Sequence, residues 1–65
     1  MNDNKIWWNV AIYWQGHLDI LECYDNEKQA RHSLMIHEQC TDDVRRYKLS
    51  MLDQTGWHVI EDYCC

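Results

Sequence analysis

The sequence predicts an α+β fold: a four-stranded antiparallel sheet, in the chain order strand, strand, helix, strand, strand, with the helix packed on one face. Three observations predict it. Four segments are dense in β-branched and aromatic residues or alternate apolar with polar, the period of a strand. The only two glycines, Gly16 and Gly56, each follow a strand-like run and read as hairpin turns. The stretch between the two hairpins carries its apolar residues at helical spacing instead. Two hairpins and one helix close most simply as two layers.

Length and charge bound what this fold can be. At 65 residues the chain makes a single domain, 1–65, without room for separate cofactor and substrate domains. A chain this short buries only about 60% of its unfolded surface. Four Trp and four Tyr are therefore expected to supply the bulk of its core. The net charge of -5 argues against a sequence-independent grip on nucleic-acid phosphates. No apolar run approaches the roughly 20 residues that span a bilayer. Met1-Asn2-Asp3-Asn4-Lys5 lacks the basic start and apolar stretch of a secretory signal. A cytoplasmic protein is expected, with Cys23, Cys40, Cys64 and Cys65 as free thiols, buried or at the tail.

The first strand is Ile6 to Trp14 (IWWNVAIYW) and the second His17 to Tyr24 (HLDILECY). A two-residue loop at Gly16 would set Ile12 across from Asp19. A three-residue loop with Gly16 left-handed would set Ile12 across from Ile20 and Trp14 across from Leu18. The second gives the better apolar pairs and is the register expected. Asp25 reads as the N-cap of a helix over Asn26 to Cys40, with Glu27 near the positive end of its dipole. Ala30, Ser33, Leu34, His37 and Cys40 form its stripe, with Ile36 at the margin and Met35 on the far side. Val44 to Leu52 (VRRYKLSML) then alternates, Tyr47, Leu49 and Met51 against Arg46, Lys48 and Ser50. After Asp53-Gln54-Thr55-Gly56, a last strand runs from Trp57 to Tyr63. It sets Trp57, Val59, Glu61 and Tyr63 opposite His58, Ile60 and Asp62.

Three constellations could carry function. His37-x-x-Cys40 with Cys64 and Cys65 has the ligand types of tetrahedral zinc. Adjacent cysteines chelate one ion poorly, however, and no C-x-x-C knuckle is present, so no metal and no cofactor is expected. Arg45, Arg46 and Lys48 around Tyr47 resemble a nucleic-acid groove. Beside Asp42 and Asp43 they read more simply as a local ion-pair cluster, and no direct nucleic-acid contact is expected. The aromatic surplus weighs most. Trp7 beside Trp8, and Tyr13 beside Trp14, make the first strand apolar on both faces. If Trp8, Val10 and Ile12 pack inward, Trp7, Ala11 and Tyr13 lack a cover. Uncovered aromatics rimmed by charge are typical anchors for a protein partner, with a second small core or a homodimer interface the equal alternative. Trp7 and Tyr13 are the expected anchors, and Asp42 and Asp43 the acidic contacts. Asp19, Glu22, Asp25, Glu27 and Glu38 complete the expected acidic rim. No membrane partner is expected.

A short acidic chain of this element order, Trp8 to Tyr63, with Lys28-Gln29-Ala30-Arg31 opening the helix after a hairpin, resembles small phage-encoded inhibitors of host machinery. Anti-CRISPR proteins and a phage inhibitor of host RNA polymerase are among them. The resemblance implies a non-enzymatic binder in the host cytosol. Such a binder occludes a basic, nucleic-acid-binding surface of a larger host protein or ribonucleoprotein complex. It transfers no catalytic or binding residue.

Overall fold

The computed structural model describes residues 5–64. Residues 1–4, read above for a targeting signal, and Cys65, one of the four zinc-type ligands, lie outside the described residues. The chain forms β1 (Trp7–Trp14), β2 (His17–Tyr24), α1 (Glu27–Gln39), β3 (Arg46–Asp53) and β4 (Gly56–Cys64). The four strands make one antiparallel sheet in the spatial order β2-β1-β3-β4. The α+β class and the helix-on-sheet arrangement are as the sequence predicts. The two hairpins meet through β1 and β3, so the centre of the sheet comes from both halves of the chain.

The first hairpin combines the two registers that the sequence left in competition. Gln15 and Gly16 both hold positive φ, 53° and 83°, which makes a two-residue turn of the type that matches strand twist. Next to it, Trp14 faces His17 and Tyr13 faces Leu18. The expected Trp14–Leu18 pair is therefore not formed. Beyond Tyr13 the register slips, and Ile12 faces Ile20 as expected. Asp19 is the extra residue of a β-bulge. Turn chemistry decides the near end, apolar pairing decides the far end, and the bulge joins them. Gln15 is the one described non-glycine residue at positive φ. Gln15→Asn, which creates the favoured Asn-Gly turn, is expected to stabilise by roughly 0.5 kcal/mol or more and to raise the thermal midpoint by a few degrees. Thermal melting followed by circular dichroism measures this; an unchanged midpoint would contradict it.

The helix begins one residue later than expected. Asn26, not Asp25, is its cap: the Asn26 side chain accepts from the Gln29 backbone N–H at 3.1 Å. Asp25 instead pairs with Lys5 at 3.8 Å. Cys40 caps the other end, its N–H donating to the Ile36 carbonyl. Ala30 and Leu34 are the buried part of the expected stripe, while Met35 and Ile36 are exposed. β3 starts at Arg46 and not at Val44 as expected; Val44 lies in the loop before it, exposed to solvent.

The core lies between α1 and one face of β1 and β3. It consists of Val10, Ile12, Ala30, Leu34, Tyr47 and Leu49, with Trp8, Ile20, Tyr24 and Tyr63 packed around it. The expectation that Trp and Tyr together supply the bulk of the core is thus met by Tyr47, with Tyr24, Tyr63 and Trp8 around it, and corrected for the other tryptophans. Tyr47 is the aromatic fully inside, stacked on Tyr63 with ring centroids 5.6 Å apart. Trp7, Trp14 and Trp57 are exposed. The reason is geometric: a single short helix covers only the middle of one sheet face, where aliphatic residues and Tyr47 fill the space, and Trp7 and Trp57 lie on the other face.

α1 is tied to both outer strands by polar contacts. Toward β2, Glu22 accepts hydrogen bonds from the Ser33 hydroxyl at 2.5 Å and the Tyr24 hydroxyl at 2.8 Å, with His37 Nε2 at 3.4 Å. Toward β4, Arg31 bridges Glu27 and Glu61 at 2.8 and 2.5 Å, and the Tyr63 hydroxyl donates to Glu38.

Candidate protein-binding face

The sheet face turned away from α1 is the most distinctive surface of the protein. The register places Trp7, Asn9, Ala11 and Tyr13 of β1 on it, beside Leu52, Ser50, Lys48 and Arg46 of β3. The expectation that Trp7, Ala11 and Tyr13 lie on the uncovered side is met. What the sequence did not show is the contribution of the outer strands. Leu18 and Leu21 of β2 flank β1, and Trp57 and Val59 of β4 flank β3.

Both contributions depend on β-bulges. Leu18 and Leu21 are three residues apart, and on a regular strand they would point to opposite faces. The Asp19 bulge puts both on this one, opposite Tyr13 and Ala11. In β4, Leu49 faces Glu61 but Ser50 faces Val59, which leaves Ile60 as the extra residue. The expected alternation of Trp57, Val59, Glu61 and Tyr63 on a single face is therefore corrected. Glu61 and Tyr63 face the helix, and Trp57 and Val59 face the open side. Bulges on outer strands also twist the free edges away from edge-to-edge pairing.

The result is a trough. Its floor is small or polar: Ala11 and Ser50 are only 6% and 8% exposed, although no element covers them. Larger neighbours overhang them. Leu21, Trp57 and Val59 are 59%, 56% and 57% exposed and form the walls with Leu18. Two adjoining depressions of about 510 and 300 Å³ run along this floor. Trp7, Leu52 and Trp57 stand side by side on three neighbouring strands and close one end in apolar surface.

The other end is charged. Arg46 donates two hydrogen bonds to Asp62, at 2.8 and 2.6 Å, and lies over the Tyr13 ring. The Arg46 guanidinium holds the Asp62 carboxyl below the usual aspartate range and is itself held more firmly protonated. Lys48 lies over the same ring at 5.9 Å and has no carboxylate within salt-bridge distance among the described residues. Of the carboxylates paired across the sheet (Glu22, Asp53, Glu61 and Asp62), only Asp62 falls on this face. The acidic rim expected around the aromatics is therefore not there. Glu22 faces the helix, Glu27 and Glu38 sit on the helix itself, and Asp19 pairs with Arg45 at 2.6 Å.

The four expected anchors do not form a single patch. Trp7 and Tyr13 share the open face but are six residues apart on β1, about 20 Å. Asp42 and Asp43 lie in the loop between α1 and β3, at the Tyr13 end of the sheet. There Asp43 pairs loosely with Arg45 at 3.8 Å.

The basic run is divided between structural tasks. Tyr47 is buried in the core, Arg45 binds Asp19 and lies over Trp14, and Arg46 binds Asp62. No aromatic stacking platform results from Tyr47. The zinc-type ligands are also separated. His37 is on α1 and Cys40 is its C-cap, whereas Cys64 stands opposite Arg46 on the other side of the sheet. Among the described residues, no three His, Cys, Asp or Glu side chains are grouped as a metal site. Cys23, Cys40 and Cys64 are free and exposed, so Cys23 and Cys40 are not the buried thiols expected. Cys23 faces Asn9 across β1 and lies on the trough side. No helix is long and apolar enough to cross a membrane among the described residues. The chain matches no protein-family model, and neither the curated proteins nor the solved structures include a significant match to it.

Proposed function

We propose that the protein is a non-enzymatic binding module. It docks its open sheet face onto a larger host protein or ribonucleoprotein complex and occludes a working surface there, as small phage-encoded inhibitors do. The observation that carries this reading is the contiguous set of large exposed apolar side chains, Trp7, Leu18, Leu21, Trp57 and Val59, on one face of a chain with net charge -5. Contiguous exposed apolar surface of this kind marks interaction sites, and tryptophan is enriched among the residues that dominate binding energy. Most charged groups elsewhere are engaged within the chain. Glu22, Arg31, Arg45 and Asp53 each hold partners that fasten α1, the helix-to-β3 loop or the second turn.

The experiment is affinity capture from host lysate with the wild type and with Leu21→Glu and Val59→Glu. Both positions are exposed, so both variants are expected to fold. The wild type is expected to retain a defined complex, and each variant to lose it by roughly 30-fold or more in affinity, the effect of an interface anchor. Alkylation of Cys23 is expected to slow in the captured complex while that of Cys40 does not. Equal capture by wild type and variants would refute the reading.

A further inference from the structure

The shape and charge of the trough narrow the chemistry of its occupant; this inference rests on the open face being the docking surface. The walls stand on β2 and β4, three strand spacings or about 14 Å apart at the backbone. Their side chains narrow that gap toward the diameter of an α-helix, about 10–12 Å. A floor sunk to Ala11 and Ser50 leaves depth for one row of inward side chains. An extended strand laid on a sheet face would leave its own backbone N–H and C=O groups unpaired, whereas a helix pairs them internally. A second copy opposed face to face would set trough against trough and leave both floors unpacked. The opposite face of the sheet is already covered by a helix, α1. A second helix would complete a three-layer arrangement.

Charge sets the direction. Arg46 and Lys48 lie over the Tyr13 ring and share one carboxylate, Asp62, which binds Arg46 and stands opposite Lys48, so this end keeps an excess of one positive charge at Lys48. The far end, around Trp7, Leu52 and Trp57, is apolar apart from Lys5, which lies over the Trp7 ring and is balanced by Asp25. A helix presents a partial negative charge at its C-terminus. From the Trp7 level to the Tyr13 level is about 20 Å, the length of about 13 helical residues. We propose that the trough receives an amphipathic α-helix of the partner, apolar at i, i+3, i+4 and i+7. The helix lies along the strands with an acidic C-terminal turn over Lys48.

The test uses the full chain and two synthetic amphipathic peptides of about 13 residues. One carries Glu in its last turn and the other carries Lys there; binding is read by tryptophan fluorescence and by protection of Cys23. The Glu peptide is expected to bind at least ~10-fold more tightly, a typical worth for one partly desolvated charge contact. Lys48→Glu is expected to reverse the preference, and the milder Lys48→Gln to abolish it, with circular dichroism reporting that both fold. Binding of neither peptide, or a preference that both variants leave unchanged, would overturn the inference. Sedimentation showing a dimer that the Glu peptide does not dissociate would overturn it in favour of a second copy. If the peptides fail while Leu21→Glu still abolishes capture of the complex, only the helix inference falls. If Leu21→Glu leaves capture intact, the open-face reading falls with it.

Discussion

Tyr47→Ala is expected to leave the protein largely unfolded at 25 °C. Tyr47 is 1% exposed, the largest fully buried side chain, and its ring stacks on Tyr63 at an interplanar angle of 21°. Emptying a buried aromatic site costs about 3–5 kcal/mol, combining lost transfer energy with the cavity left behind. Collapse around that cavity is restricted here. Tyr47 sits on β3, held between β1 and β4, and the helix above is tied to both outer strands. A single core in a chain of this size supplies net stability of only about 3–5 kcal/mol. Cost and stability are of the same size, so the folded population falls sharply. Urea titration of wild type, Tyr47→Phe and Tyr47→Ala checks this. Phe is expected to remain folded with a modest loss, and Ala to lack a folded baseline. A Tyr47→Ala midpoint close to that of the wild type would contradict the core described here.

The second large effect is expected in acid. The Ser33 hydroxyl donates to the Glu22 carboxylate and is the main cause holding its pKa below the usual glutamate value. Tyr24 and His37 add to this, against partial burial that pushes the other way. A depressed folded pKa means that the unfolded chain binds the proton first as pH falls. Stability from this group is therefore complete above about pH 5 and is lost as pH falls through the folded value. Asp53, held down chiefly by Thr55, and Asp62, held down chiefly by Arg46, act in the same direction on exposed surface. Comparison with Glu22→Gln isolates the buried-side contribution. At pH 7 the variant is expected to lose about 1–2 kcal/mol, the range for hydrogen bonds to a charged group, moderated by its partial exposure. The two proteins are expected to converge in stability as pH falls below the usual glutamate range and through the lowered folded value. Urea midpoints measured across that range decide it; curves that stay parallel would show that Glu22 does not fasten α1 to β2.

The elements themselves were legible because their signals are local. The alternation of Tyr47, Leu49 and Met51 with Arg46, Lys48 and Ser50 marks β3, and the stripe through Ala30 and Leu34 marks the covered side of α1. Even the uncovered side of β1 was legible, since Trp7 beside Trp8 cannot point the same way. The helix cap was missed by one residue because Asp25 and Asn26 both suit an N-cap, and only the Lys5 pairing and the bond to Gln29 separate them.

The acidic rim failed as an expectation because charge along the chain says nothing about face. Glu22 and Glu61 meet the helix through register, and Asp19 is drawn to Arg45 by the bulge. The large exposed tryptophans likewise depend on coverage. α1 spans 13 residues and shelters only the middle of one sheet face, so Trp14 remains outside it at the end of β1, while Trp57 lies on the other face.

By itself, then, the sequence determined the class, the order of elements, the covered face of β3 and the two-sided apolar character of β1. All of these follow from periods of 2 and 3.6 within one segment. Tertiary structure decided the trough. Its walls exist because a bulge at Asp19 and another at Ile60 reverse which way the rest of each outer strand points. Such a reversal is a property of two strands in register, where turn geometry and apolar pairing disagree by one residue, and no single segment contains it.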